Sequence, residues 1–413
     1  MVAIRPFCAL RYNPERTDDL SRVLSPPYDV IGAEEQEQLY QASPYNVVRL
    51  ILGKLYPSDT ETESRYTRAR RDFDAWRAAG VLQRDAGPAI YVVDHAFSDG
   101  GAAQSRLGFI ALLGLDEPIE RAVYRHEATL AAPKQDRTKL LAAVPANLEP
   151  IFCVYPDEEG RVQTRLKTLA RERTPTGHAT LNGDAIRWWV VAEPSIVREL
   201  SQRLSSVSVL IADGHHRFEV AYANRARYGA LMSYFVSMAE PALVVRPIHR
   251  VVQHEGAVNV QGLRDVCRLE RAADLPALLR WLNDGADHGR FGCYDGQALY
   301  RATMTPEPLH RWLEAPAVAA PLASLDVSLL HSLVMPSLMP HGTTARYTYT
   351  ADASQALRAV DRGEGRLAWL LRGIPLPRVY DLAAQGLSLP PKSTYFYPKV
   401  PSGLTINPFP ESW

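Results

Sequence analysis

Apolar positions recur along this chain with two different periods, and the changes of period divide it into elements. Residues 61–79 place Tyr66, Ala69, Phe73 and Trp76 near one face, with arginines and aspartates elsewhere. That spacing predicts an amphipathic helix, and Gly80 supplies its end. Residues 33–42, 133–143, 161–173 and 194–204 read as further helices, with Pro133 suited to a first helical turn. Short apolar runs at 2–10, 47–52, 90–97, 107–115, 150–155, 186–192 and 207–212 read as strands. The pair 90–97 and 107–115 flanks a Ser-Asp-Gly-Gly turn. Beyond Pro241 the pattern weakens to one strand at 242–252 and helices at 275–283, 325–335 and 354–362. The mixture predicts an α/β or α+β fold without internal repeats. Three regions are expected: an α/β region over 1–116, a core over 117–240 and an α+β region over 241–413. The stretch 387–404 is too dense in aromatic and polar groups for solvent-facing coil, and is expected to pack back or line a site.

One change of period carries chemistry. The apolar run Val209-Leu210-Ile211-Ala212 stops at Asp213-Gly214, and His215-His216-Arg217 then opens a helical pattern with Phe218, Ala221 and Tyr222 on one side. A helix start presents free amide N–H groups and a positive dipole end. Glycine lets backbone approach a ligand closely, and arginine offers a planar fork to phosphate oxygens. The turn therefore predicts an anion pocket, with phosphate the commonest occupant. The bland alternative is a strand-to-helix turn capped by Asp213, its histidines bonded to nearby carbonyls. A metal site using Asp213 and His215 is a third reading.

Other clusters are less specific. His126-Glu127 is not part of an HExxH helix, because position 130 is Leu. Glu127 precedes a helix bearing Lys134, Asp136 and Arg137, so it reads either as a general base beside a phosphate pocket or as surface charge. Lys392, Ser393 and Thr394, in an aromatic run ending at Lys399, read as substrate or phosphate contacts or as a packing strap. The proline-stiffened loop Ser25-Pro26-Pro27-Tyr28-Asp29 delivers Asp29 to a cleft or merely turns. Walker, protein-kinase, GxGxxG and GxSxG signatures are absent.

Composition narrows the classes. Lys plus Arg and Asp plus Glu are equal at 46 each, which argues against a protein built to grip nucleic acid by its backbone. The four cysteines (Cys8, Cys153, Cys267 and Cys293) form no CxxC pair and fit a reducing compartment. With no signal-like N-terminal run and no span-length apolar window, a cytoplasmic protein is expected.

The runs Ile211–Glu219 and Pro26–Ile31, His126-Glu127 with Asp136-Arg137, and Pro391–Lys399 together resemble the family called domain of unknown function 1015. They extend over almost the whole chain, in order. The part from His126 to the Asp-Gly-His-His-Arg turn is also similar to the ParB/sulfiredoxin superfamily, particularly its free serine kinases. That resemblance implies a ParB/sulfiredoxin-like central module with phosphate on Gly214, His215, His216 and Arg217 and with Glu127 as base. Residues 161–204 would be an insertion. His215 stands where sulfiredoxins place cysteine, which disfavours sulfinic acid reduction, and no basic recognition helix like that of ParB is evident.

The function so implied is nucleotide-dependent phosphoryl transfer to a small hydroxyl compound, with free L-serine first. ATP or ADP would sit on Asp213, Gly214, His215, His216 and Arg217, helped by Lys134 or Arg137. Glu127, Arg217 and His216 would be catalytic, and Asp29, Lys392, Ser393 and Thr394 would contact substrate. Asp213 would cap the turn or hold magnesium through water. The expected partners are nucleotide and small-molecule substrate, without nucleic acid or membrane, and a homodimer stays open. The alternatives are a non-catalytic nucleotide-binding switch and a metal-dependent hydrolase.

Overall fold

The computed structural model describes residues 2–17, 19–116, 118–253, 260–284, 288–314, 317–338 and 346–409. Its contacts divide the chain into two compact units. One comprises residues 1–125, 129–244 and 398–413, and the other residues 126–128 and 245–397.

The first unit is built on a nine-stranded mixed sheet. Its strands are β1 (Ile4–Arg5), β2 (Ile90–Asp99), β3 (Ala102–Gly114), β4 (Val123–Tyr124), β5 (Ile151–Tyr155), β6 (Gly177–Leu181), β7 (Asp184–Val191), β8 (Val209–Asp213) and β9 (Ala230–Ser237). They lie in the order β4-β8-β5-β9-β3-β2-β7-β6, with β1 on β3. β5 and β9 are buried along their whole length, which is why they carry nearly continuous apolar runs rather than alternating ones. Its helices include α1 (Ala33–Ala42), α2 (Val48–Ile51), α3 (Arg65–Ala78), α4 (Ala131–Ala143), α5 (Arg161–Glu172), α6 (Pro194–Leu204) and α7 (His215–Ala223). Leu166, Leu200 and Phe218 bring α5, α6 and α7 into one core with Phe109, Ile151 and Ile211 of the sheet. A second core joins α2, α3 and α4 through Leu50, Phe73, Trp76 and Leu140.

Three expectations change here. Residues 47–52 form helix α2, not a strand. Buried Asn46 accepts the Val48 N–H at 2.9 Å and donates to the Arg22 and Leu24 carbonyls, which turns the chain so that Leu50 and Ile51 join the Phe73–Trp76 core. Residues 2–10 pair with the main sheet only at Ile4–Arg5, while Leu10–Tyr12 pairs with Leu82–Arg84; Pro6 between them has no N–H to donate. α3 starts at Arg65, where the Thr67 hydroxyl accepts the Ser64 N–H at 2.8 Å, rather than at 61.

The second unit holds a six-stranded antiparallel sheet. Its strands are β10 (His249–Gln253), β11 (Cys267–Arg271), β12 (Arg290–Tyr294), β13 (Leu299–Met304), β14 (Arg346–Thr350) and β15 (Leu367–Leu370), in the order β11-β13-β12-β15-β10-β14. Helices α8 (Leu275–Asn283) and α9 (Ala353–Asp361) pack Leu278, Leu282, Ala356 and Val360 against Val251, Ala368 and Leu370. A further helix, α10, spans Leu376–Ala384. The single strand expected at 242–252 is two, Val244–Arg246 and His249–Gln253, interrupted at Pro247. The helix expected at 325–335 runs as Asp326–Leu329, a π segment Leu330–Val334 and Met335–Leu338. Among the described residues no helix is long and apolar enough to cross a membrane.

Candidate functional site

In the first unit, β8 delivers Asp213 to the end of the sheet, Gly214 turns the chain with φ +93°, and α7 begins at once. A Cβ at Gly214 would stand 2.8 Å from Ile151 Cγ2 and 3.1 Å from Arg217 Nε. Both the backbone and the space therefore call for glycine. The first helical bond runs from the Phe218 N–H to the Gly214 carbonyl at 2.9 Å. The amides of His215, His216 and Arg217 precede it, and no side-chain cap bond closes this end.

Asp213 does not cap the helix, which corrects one of its two expected roles. One of its oxygens accepts Arg217 Nη2 at 2.8 Å, and the other is paired with Lys399 Nζ. Burial disfavours its charge, but Lys399 and Arg217 outweigh burial and lower its pKa to about 2. Arg217 Nη1 donates to the Pro150 carbonyl at 2.6 Å, while its buried Nε has no partner. For Arg217 burial works against the cation, yet Glu149, Asp213 and Asp29 hold its pKa raised. His215 is buried and His216 half-buried. His216 Nε2 accepts the Leu130 N–H at 3.0 Å. That bond leaves the imidazole proton on Nδ1 and ties α7 to the start of α4.

Glu149 collects several sequence motifs. It accepts the Tyr28 N–H at 3.0 Å and the Ser402 hydroxyl at 3.2 Å, and it faces Arg137 Nη1 at 3.4 Å. Burial raises its pKa against the pull of Arg217 and Arg137. The Arg137 guanidinium lies 3.8 Å from the Tyr28 ring centroid and is bonded to Asp136 and to the Ile51 carbonyl. Arg106, fully buried on β3, lies over the rings of Phe152 and Tyr234 and donates to the Pro398 carbonyl at 2.7 Å. Residues 398–399 thus reach from Arg106 to Asp213.

The structure therefore brings Arg137, Asp213 and Arg217 of the expected set around Glu149, with the exposed Asp29 beside Tyr28. Lys134 instead lines a shallow hollow on α4 with Thr138 and Lys139. Glu127, Lys392, Ser393 and Thr394 belong to the second unit. There Glu127 bridges Leu389, and Thr394 Oγ1 lies 2.9 Å from His126 Nε2. Lys392 is exposed with φ +58°, and Ser393 is buried, bonding the Pro390 carbonyl. Sequence reasoning missed Glu149, Lys399 as the partner of Asp213, and Arg106. A carboxylate directly before Pro150 and its apolar strand was the available signal for Glu149.

Among the described residues no group of three His, Cys, Asp or Glu is placed to hold a metal. Both Asp213 oxygens already face cations, a poor donor set for magnesium. All four cysteines are free thiols.

A family model described as "Protein of unknown function (DUF1015)" matches residues 4–328. None of the curated proteins matches the chain. Among solved structures, a conserved hypothetical protein from Pyrococcus furiosus shares 12% identity over 72% of this chain and 95% of its own, with a TM-score of 0.36. A free serine kinase in complex with AMP shares 12% identity over 70% of this chain and 86% of its own, TM-score 0.36. SbnI with a C-terminal truncation, from Staphylococcus aureus, shares 10% over 72% and 87%, TM-score 0.38.

Proposed function

The chain belongs to the DUF1015 family, and from that premise we propose that it is a nucleotide-dependent phosphotransferase acting on a small hydroxyl compound, free L-serine first. The observation that carries this reading is the start of α7. There an uncapped first turn follows a left-handed glycine, and buried Arg217 keeps an Nε–H without a partner. Lys399 and Arg217 both bring positive charge to Asp213, while Glu149 and Asp29 also act on Arg217. The dipole and the amides of this turn favour phosphate oxygens.

In this reading ATP or ADP rests its phosphates on the amides of His215, His216 and Arg217, with Arg217 Nε–H as a further donor. His216, neutral with its proton on Nδ1, donates a hydrogen bond rather than a charge. Arg137 supports the pocket through Glu149 and Tyr28. The substrate oxygen forms its bond to phosphorus as the bond to the departing nucleotide oxygen breaks, and Glu127 accepts the hydroxyl proton. Phosphoryl transfer asks mainly for positioning and charge neutralisation, which these groups supply. The roles of Glu127 and of Lys392, Ser393, Thr394 and Asp29 rest on motif resemblance alone.

The test is incubation with ATP or ADP, with and without L-serine, followed by detection of phosphoserine by phosphorus NMR. Serine-dependent phosphoserine is expected. Nucleotide binding without turnover of serine or other small alcohols would favour the non-catalytic switch instead.

A further inference from the structure

The second unit contains a cavity of about 550 Å³ that the proposed phosphate site does not use. Its size falls within the roughly 300–1,000 Å³ of small-molecule sites. Leu325, Val327 and Ile374 give it apolar walls, and Asp326, Arg372 and Arg378 bring charge to it.

Those charges do not cancel. Arg372 Nε donates to Asp326 Oδ2 at 2.6 Å, and Asp326 also accepts the Gly289 N–H at 2.8 Å. Arg378 donates to the Pro321 carbonyl at 2.8 Å, and among the described residues no carboxylate pairs with it. Its position is also unfavourable for a cation. Arg378 lies in the first turn of α10, where the helix dipole is positive and no side-chain cap bond is made. A cation held against the dipole at the wall of a cavity breaks a local rule, as binding sites do.

The cavity is also built from behind. Arg250, fully buried, bonds the carbonyls of Ile248 and Lys392, the latter at 2.9 Å. Ile248 and Ser393 both line the cavity. The buried guanidinium thus fixes two of its walls, one of them the Lys-Ser-Thr motif.

We infer that this cavity binds a small organic anion with an apolar body, its carboxylate or phosphate group held by Arg378 and the start of α10. The ligand's charge balances the one that Arg378 brings uncompensated to the wall. Its apolar body covers Leu325, Val327 and Ile374. Arg372 and Asp326 form the polar floor.

The test is calorimetric titration of the full chain with 1-naphthoate, 1-naphthyl phosphate and the neutral 1-naphthalenemethanol. One of the two anions should bind, and which one it is separates carboxylate from phosphate recognition. The alcohol should bind about 10- to 100-fold more weakly, the usual worth of a hydrogen bond to a charged group. Arg378→Gln should weaken the anion by the same factor and leave the alcohol unchanged. Ile374→Trp, which fills the cavity without touching charge, should abolish both and guards against a misfolded Arg378 variant. Equal binding of anion and alcohol, anion binding untouched by Arg378→Gln, or no binding at millimolar concentration would overturn the inference. Neither substitution touches the start of α7, so ATP binding should be unchanged in both variants, and failure here is separable from failure of the phosphotransferase reading.

Discussion

Gly214 is the residue on which the first unit's chemistry turns. An L side chain at φ +93° costs about 1–2 kcal/mol before its contact with Ile151 is counted. Gly214→Ala is therefore expected to lower stability by at least about 1–2 kcal/mol in urea unfolding and to weaken ADP binding further than that loss alone explains. Glu127→Gln is expected to lower turnover by about 10² to 10⁴ while leaving nucleotide affinity nearly intact; unchanged turnover removes Glu127 from the base role. At this scale Asp213, Gly214 and Arg217 were legible in the sequence, because charge, glycine and a change of period coincide there. Glu149 was not, since its partners Tyr28, Arg137 and Ser402 lie 121, 12 and 253 positions away. The capping role expected of Asp213 fails because Lys399 and Arg217 hold both of its oxygens.

Among elements, legibility followed the strength of local signals. α1, α6 and α8 occupy the predicted residues, and Pro194 opens α6 at its first position. The run at 47–52 misled because its valines and leucines suit a strand, while Asn46, bonded to the carbonyls of residues 22 and 24, decides for a helix. Asn46→Ala removes three hydrogen bonds from a buried side chain and is expected to cost about 2–3 kcal/mol. A fall in the urea midpoint of the first unit checks it, and an unchanged midpoint would mean that Leu50 and Ile51 hold α2 without it. The sheet of the second unit was barely legible, since β11, β13 and β14 are short and partly exposed and show little alternation.

For the whole molecule, the two units carry different responses to acid. In the first unit the carboxylate lowered furthest is Asp213, and His95, lowered by burial, responds to acid in the same direction as the second unit's histidines. The folded pKa of Asp213, about 2, lies below the ordinary carboxylate value, so it contributes about 2 kcal/mol above pH 4 that is lost as pH falls from about 4 through about 2. In the second unit burial, aided by Arg250, lowers buried His249 to about 4. The unfolded chain then binds the extra proton first, so stability falls by up to about 3 kcal/mol as pH drops from about 6.5 to about 4. His331, lowered to about 4 chiefly by burial, acts in the same direction. The second unit is therefore expected to open first on acidification. Hydrogen exchange followed between about pH 7 and about pH 3 checks this: protection of β10 and β15 should be lost before that of β5 and β9, and the reverse order would contradict it.

The most direct measurement of the central claim is a titration with ADP followed through the backbone amide resonances of His215, His216 and Arg217. Saturable downfield shifts of these three amides, with one shared dissociation constant, are expected. ADP that binds while leaving them unmoved, or that does not bind at all, would contradict the assignment of phosphate to the start of α7.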